Sequence, residues 1–449
     1  MSTTRFFVQT LGCPKNEADS ARLERALEEG GLQRGRPADA DIVIVNTCGF
    51  IDAAKEESIA AILDAVTAAH ARGARVAAVG CLVERYRGEL AAELPEVDLW
   101  AGLDWGPLVG ALAAEARTTP AAGDRSGVEA RATKSAARAR TGADAAGSSA
   151  ARRVRPVHAY VKLSDGCDRR CAYCAIPLIK GVYAAVPPTE ILREAEAALG
   201  CGARELVLVG QDTSRWEWPG WGGLARLLAE LEALGPVWIR LLYLQPDGVD
   251  EALLETLAAH AVPYVDLPLQ HAARGVLQRM GRAGDGEAYL RLLAAIRRAL
   301  PGAAVRSTFM VGFPGETEAD VDELVDFIVE ARPAVAGVFT FDPQEGTPAA
   351  SMAGQVPAAV AEDRAARVTA AIDDAAAGYW DGLIGRELDV LVEQGTRRPD
   401  GEAVGRLAVQ APDVDGRTLL TGRRLRRGRL VRARVVARLG YDVAATTAD

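Results

Sequence analysis

From His158 to about Ala377 the chain repeats a strand-then-helix unit six times, and that repetition leaves few folds open. The runs HAYVKL (158–163), ELVLVG (205–210), WIRLLYL (238–244), YVDLPLQ (264–270), AVRSTFMVG (304–312) and AGVFTF (336–341) are short and largely apolar. Between them, Thr189–Leu199, Leu224–Leu234, Asp250–Ala259, Glu287–Leu300 and Glu318–Glu330 carry apolar residues at helical spacing. Apolar strands that alternate with helices belong in a parallel sheet covered by those helices. Six such units predict a partial (β/α) barrel, six units where the full barrel has eight. Chemistry in such barrels comes from the carboxyl ends of the strands, and SDGC, GQDTS, QPD, QHAA, GFPGET and DPQEGT follow the six strands here.

The first hundred residues alternate in the same way. RFFVQTLGC (5–13), ADIVIVNTC (40–48) and ARVAAVGC (74–81) read as buried strands, separated by helical stretches at Asn16–Gly30 and Asp52–Arg72. A doubly wound parallel sheet follows, with ligands expected outside the carboxyl ends of its strands. Cys13, Cys48 and Cys81 each end a different strand, two of them after a glycine (Gly12, Gly80). Three sulfurs remote in sequence are therefore expected at one sheet edge. The plain alternative is three small buried hydrophobes, common for isolated cysteines, but it does not explain why all three end strands.

The 449-residue length suits about three domains. Units are expected at 1–114 and 156–380, with a linker at 115–155 and a last unit at 381–449. The linker carries nine Lys or Arg against four acids and almost no large apolar groups. Such a segment cannot bury enough surface to offset its ordering entropy, so it is expected to be flexible and solvated, with tethering to RNA as the alternative. The last unit reads as short strands with Gly and Asp turns, a small antiparallel barrel. From Arg386 to Asp442 it holds 13 arginines and 8 acids on a chain of net charge −9. Arg423, Arg424, Arg426, Arg427 and Arg429 are dense enough to meet a polyanion. A solvated, inert turn accounts for them equally well.

No run of about 18 apolar residues spans a membrane. The opening MSTTRFFVQTLGC lacks the flank, apolar stretch and cleavage site of a secretory signal, so a cytoplasmic protein is expected. Nothing demands more than a monomer. Seven cysteines in that compartment should be thiols.

Cys167, Cys171 and Cys174 stand in GCDRRCAYCAIP as Cys-x3-Cys-x2-Cys. A 4Fe-4S cube takes soft thiolates, and three on one tight loop hold three irons while leaving the fourth open to another molecule. A structural zinc would want a fourth ligand. A redox pair made of Cys171 and Cys174 leaves Cys167 unexplained.

This loop, with Tyr173 before its third cysteine, resembles the radical S-adenosylmethionine signature. The rest of the chain, the linker apart, is similar to the radical S-adenosylmethionine methylthiotransferases. These place a three-cysteine auxiliary cluster in an N-terminal domain and a TRAM barrel at the C-terminus. The resemblance implies two 4Fe-4S clusters, one on Cys13, Cys48 and Cys81 and one on Cys167, Cys171 and Cys174. It also implies S-adenosylmethionine as methyl donor and radical source, and an external electron donor. Tyr173, Gln211, Gly315 and Glu316 are the candidates for its pocket.

One branch of the family modifies a tRNA adenosine beside the anticodon. The other modifies the β-carbon of an aspartate in ribosomal protein S-twelve, free or in the small subunit. TLGCPKN (10–16), VNTCGFI (45–51), GCLVERY (80–86), PEVD (95–98), SDGCDRRC (164–171), RLLYLQPDG (240–248) and PLQH (268–271) resemble the protein-modifying branch. The tRNA branch typically has Gln-Met-Asn where this chain has Pro14, Lys15 and Asn16, and Ser at Gly49. The tRNA enzyme is the alternative, and a non-catalytic iron-sulfur scaffold is a third. The arginine-rich turn would then face ribosomal RNA around the target. A departure follows the triplet: the family's Arg-Gly and basic run are replaced by Lys180, Gly181 and Val182–Pro187.

Among weaker candidates, Gln211–Asp212 and Gln270–His271 are expected in the cavity, with capping as the alternative. Gly312–Thr317 is either pocket wall or a helix-starting turn. Trp216, Trp218 and Trp221 are read as packing under a loop, with a cavity cover as the alternative. His70, His158 and His260 are read as structural, and Cys201 as an ordinary thiol.

Overall fold

The computed structural model describes residues 4–118, 157–396, 398 and 400–447. In the N-terminal unit, strands Arg5–Thr10, Ile42–Thr47 and Arg75–Gly80 form the centre of a five-stranded sheet. The two-residue strands Gln33–Arg34 and Leu99–Trp100 lie at its edges, and every pairing is parallel. Alternate residues of each strand point to opposite faces. Phe6, Val8, Ile42 and Ile44 therefore meet Leu23, Leu27, Leu108 and Leu112 of helices Pro14–Glu29 and Gly106–Thr118. Val43, Val45, Val76 and Ala78 meet Ile62, Ala65, Leu82 and Leu90 of helices Asp52–His70 and Cys81–Glu93. Each large side chain buried in this way contributes roughly 1.5–3 kcal/mol.

The helix Gly106–Thr118 runs past residue 115, where the linker was expected to begin. Leu112 and Ala113 are buried, and Arg75 holds Glu115 at 2.6 Å, so the last turn is tied to the sheet. The remainder of that segment, 119–156, lies outside the described residues.

The six predicted strands of the middle unit form two three-stranded parallel sheets. His158–Lys162, Glu205–Val209 and Trp238–Leu241 make one; Tyr264–Gln270, Ala304–Val311 and Val335–Thr340 make the other. The seam is bridged by Val262 N–H to Ile239 O at 2.9 Å and Leu244 N–H to Asp266 O at 3.1 Å. Leu206 and Leu208 face the outer helices, while Val207 and Val209 face inward. The third strand stops at Leu241, short of the expected 244. Beyond it Tyr243 takes a left-handed φ of 63° and donates its N–H to Asp266 Oδ2 at 2.9 Å.

The last unit is a closed five-stranded barrel of Glu387–Gln394, Asp400–Leu407, Thr418–Arg423, Leu430–Leu439 and Asp442–Thr447. Four of its pairings are antiparallel; Thr418–Arg423 with Asp442–Thr447 is parallel. Val390, Leu407, Leu420 and Val435 share one core with Val207, Val209, Tyr264 and Ala304. This barrel thus packs on the end where the strands of the middle unit begin. His158, which opens the first of those strands, holds Asp413 at 3.2 Å, as its structural reading required. No helix among the described residues is long and apolar enough to cross a membrane.

Candidate functional site

The carboxyl ends of the three N-terminal strands converge because their glycines allow it. Gly12 (φ 86°) lies so close to Cys48 that a Cβ there would sit 2.7 Å from the Cβ of Cys48. Gly80 (φ 97°) would meet Asn46 Oδ1 at 2.4 Å. Asn16 ties the turns together, donating Nδ2 to Leu11 O at 2.8 Å and to Thr47 O at 3.1 Å. The Cys81 thiol donates back to Asn16 Oδ1 at 3.9 Å. Ser58 holds the Cys48 backbone through both its N–H and its carbonyl. Burial pushes the Cys81 thiol up to about 12 and raises Cys48; Cys81 also feels the charge of Cys48 and Cys13, and Cys48 that of Cys13.

The second trio lies on the loop after the first barrel strand. Ala172 N–H donates to Met280 O at 2.9 Å and Ala349 N–H to Ala172 O at 2.8 Å, bracing the loop between two others. Arg169 is its anchor. Its N–H faces Cys167 Sγ at 3.4 Å, while its guanidinium reaches buried Asp212 at 2.8 Å and Asp247 at 2.7 Å. Arg282 donates to Gln245 Oε1 at 2.9 Å and Pro268 O at 2.6 Å, with its charge beside Cys171 and Tyr173. Burial lifts Cys174 to about 12 and raises Cys167.

The two trios meet. Cys81 packs against Ala175 and Ile179, immediately beyond Cys174. Cys13 stands close enough to Tyr243 for their charges to interact. The approach is locked by ions: Lys180 reaches Asp19 at 3.2 Å and Asp165 at 3.1 Å, and Lys162 pairs with the same two carboxylates. On the far side Arg85 donates to Gln344 Oε1 at 3.0 Å and Glu345 O at 2.6 Å. A cleft of about 280 Å³ remains between the units, lined by Asp19, Arg22, Asn46, Gly80, Lys162 and Glu194 among others. Lys180, which departs from the family's arginine, is therefore an interface residue.

The donor set in both places is sulfur alone, which suits iron-sulfur chemistry. Among the described residues no group of three His, Cys, Asp or Glu is gathered as one metal ion would require. The thiolates of a cube bind separate irons, so they stand wider apart than the ligands of a single ion. All six cysteines are free thiols, so the chemistry of each trio suits a cube.

The remaining expected residues are distributed less simply. Tyr173 is buried among Val276, Met280 and Phe313. Gln211 lies at the mouth, its carbonyl accepting from Gln245 Nε2 at 3.5 Å. Gly315 (φ 77°) is braced by Arg279, which donates to its carbonyl at 3.0 Å. Glu316 is buried, taking Gly312 N–H and Arg364 at 2.9 Å each. His271 is fully buried: its Nδ1 accepts from Ala273 N–H at 3.0 Å and its Nε2 faces Glu316 at 3.6 Å. These two form a brace behind the pocket wall. Gln270 is buried with a left-handed φ of 71°, so it and Tyr243 both carry backbone strain at the mouth. Trp216 is buried and packs edge-on to Trp221 at 5.7 Å, the packing role expected. His70 pairs with Asp98 and His260 with Glu232 at the surface, and Cys201 is exposed.

Sequence reading missed Arg169, Arg282, Tyr243 and the role of Lys15, whose ammonium sits 3.6 Å above the Tyr243 ring. For Arg169 and Lys15 the only signal was position beside a cysteine of a trio; Tyr243 lay inside a run read as strand and Arg282 beyond a short helix, Arg274–Arg279.

Comparison with known proteins agrees with this architecture. Residues 5–102 match the Uncharacterized protein family UPF0004, 161–328 the Radical SAM superfamily and 384–447 the TRAM domain. A protein named Ribosomal protein uS12 methylthiotransferase RimO from an Anaeromyxobacter species is 40% identical over 99% of this chain and 93% of its own length. Proteins of the same name from Moorella thermoacetica and Frankia alni are 40% and 41% identical, each over 93% of this chain and over 93% and 82% of their own lengths. Among solved structures, the radical S-adenosylmethionine methyltransferase TsrM from Kitasatospora setae superposes with a TM-score of 0.53 at 18% identity, over 78% of this chain and 77% of that one. At that identity the likeness concerns the fold.

Proposed function

Because the chain belongs to the RimO methylthiotransferases, we propose that it transfers a methylthio group to ribosomal protein S-twelve, at the β-carbon of an aspartate. The observation that carries this reading is the packing of Cys81, from the first trio, on the residues that follow Cys174, from the second.

In this reading residues 1–114 hold an auxiliary 4Fe-4S cluster on Cys13, Cys48 and Cys81. Residues 156–380 hold the radical cluster on Cys167, Cys171 and Cys174, 115–155 is the tether, and 381–449 is the TRAM unit. When bound, the clusters and S-adenosylmethionine supply the electron transfer, hydrogen abstraction, sulfur and methyl group that no side chain provides.

The chain's own residues position these groups. Arg169, held by Asp212 and Asp247, fixes the Cys167–Cys174 loop relative to the second and third strand ends. Tyr173, Gln211, Gly315 and Glu316 shape the wall for S-adenosylmethionine, Tyr173 and Glu316 from behind it. Asn16 and Ser58 fix the backbone of the first trio. The Asp19, Lys162, Asp165 and Lys180 network holds the segment of one trio against that of the other. The TRAM arginines at 423–429 offer a surface for ribosomal RNA. The protein then works in the cytoplasm with an external electron donor.

Mass spectrometry of ribosomal proteins and tRNA from cells with and without the protein tests this reading. The expected result is loss of one methylthio group from S-twelve in the deletion. Loss from a tRNA adenosine instead would contradict it.

A further inference from the structure

Lys15 is a cation placed between the two trios without a carboxylate of its own. Half-buried, it follows Cys13 by two residues, and its ammonium rests 3.6 Å from the centre of the Tyr243 ring. No described carboxylate pairs with it. The neighbouring cations are engaged: Arg169 by Asp212 and Asp247, Lys162 and Lys180 by Asp19 and Asp165, and Arg282 by Gln245 and a carbonyl. Its charge acts on Cys48 of one trio and Cys174 of the other.

A ring face holds an ammonium without satisfying its N–H donors. A half-buried ammonium in that position is prepared for an anion from outside the chain. Tyr243 is itself fixed, by its strained φ of 63° and by its N–H bond to Asp266. The seat is therefore rigid.

We propose that Lys15 is the specificity residue of the site: its ammonium, seated on Tyr243 between the trios, binds the side-chain carboxylate of the target aspartate and so sets the adjacent β-carbon in the space both trios face. This rests on the aspartate reading above.

The test is equilibrium binding of S-twelve, with Asp or Asn at the target position, to the cluster-loaded enzyme, followed by tryptophan fluorescence without turnover. A charge-assisted bond of this kind should favour the Asp form by about tenfold to a hundredfold. Lys15→Met should bind both forms equally, at the wild-type affinity for the Asn form. Lys15→Arg, which keeps the charge, should retain part of the preference. Cluster absorbance reports that the variants are loaded. A Lys15→Met enzyme that still prefers Asp, or that weakens both forms alike, would overturn the proposal; so would a wild-type enzyme with no preference. Methylthiolation of S-twelve by the wild type, scored separately by mass, tells failure of this inference from failure of the functional reading.

Discussion

Arg406 of the C-terminal barrel donates to Glu205, 201 residues earlier in the chain, at 2.5 Å, and both side chains are buried. Glu205 opens the second strand of the central unit and also receives Arg240 Nε at 2.8 Å. Burial alone would raise its carboxyl, but Arg406 and then Arg240 outweigh burial and hold it at about 2. The C-terminal barrel is thus fastened to the central one by a buried ionic centre.

Glu205→Gln should cost about 3–5 kcal/mol, because it leaves buried Arg240 without its carboxylate and Arg406 with Glu393 alone. A depressed carboxyl contributes stability that is present above its ordinary value of 4.5 and lost as pH falls towards about 2. The gap in melting temperature between wild type and variant should therefore be full at neutral pH and close across that window. A gap that is independent of pH would show that the centre is not ionic.

The second pH response comes from His158. Burial opposes its charge, but Asp413 and Glu393 prevail, so its pKa is raised above 6.5. A raised imidazole contributes stability that is complete below 6.5 and lost as pH rises through the folded value. His158→Gln should cost about 1.5–3 kcal/mol near pH 6 and progressively less on the alkaline side. Denaturant melts at a series of pH values measure this. An equal cost at pH 6 and pH 9 contradicts it.

Arg169 holds two carboxylates in one fork, a geometry lysine cannot reproduce. Arg169→Lys and Arg169→Ala should both weaken cluster retention on the Cys167 loop, about 10–100-fold by the usual effect of a supporting contact around a metal site. Chelator competition followed by cluster absorbance measures this, in a background lacking Cys13, Cys48 and Cys81. Unchanged retention removes the anchoring role.

Gly80→Ala should disturb the other trio. A methyl group at φ 97° would lie 2.4 Å from Asn46 Oδ1, in the side chains that align Cys48 and Cys81. Iron analysis should find the first site depleted and the Cys167 site filled. Full loading of both would show that strand convergence does not depend on this glycine.

Much of this was legible because the periodicities are local. The strands that precede Cys13, Cys48 and Cys81, the triplet spacing, and the five helices expected between the central strands follow from short-range patterns, whereas the 24-residue helix Ala358–Asp381 was not expected. What was missed depends on long-range approach. Lys15 and Tyr243 are 228 residues apart, and nothing near either announces that one seats the other. The third strand ends early because Asp266, on the next strand, takes the Tyr243 N–H. Glu316 and His271 were expected in the cavity because they follow strands, yet each turns inward to a partner. The strand Asp442–Thr447 escaped notice because DVAATT is short and weakly apolar, and a parallel neighbour supplies its pairing.

The central claim is that two cysteine trios open on one space. Pulsed paramagnetic resonance of the anaerobically loaded, reduced enzyme tests it most directly, against variants lacking either whole trio. The account predicts two 4Fe-4S signals that broaden one another in the wild type, with one unbroadened signal left in each triple-alanine variant. Two signals that do not interact, or one signal lost equally in both variants, would contradict it.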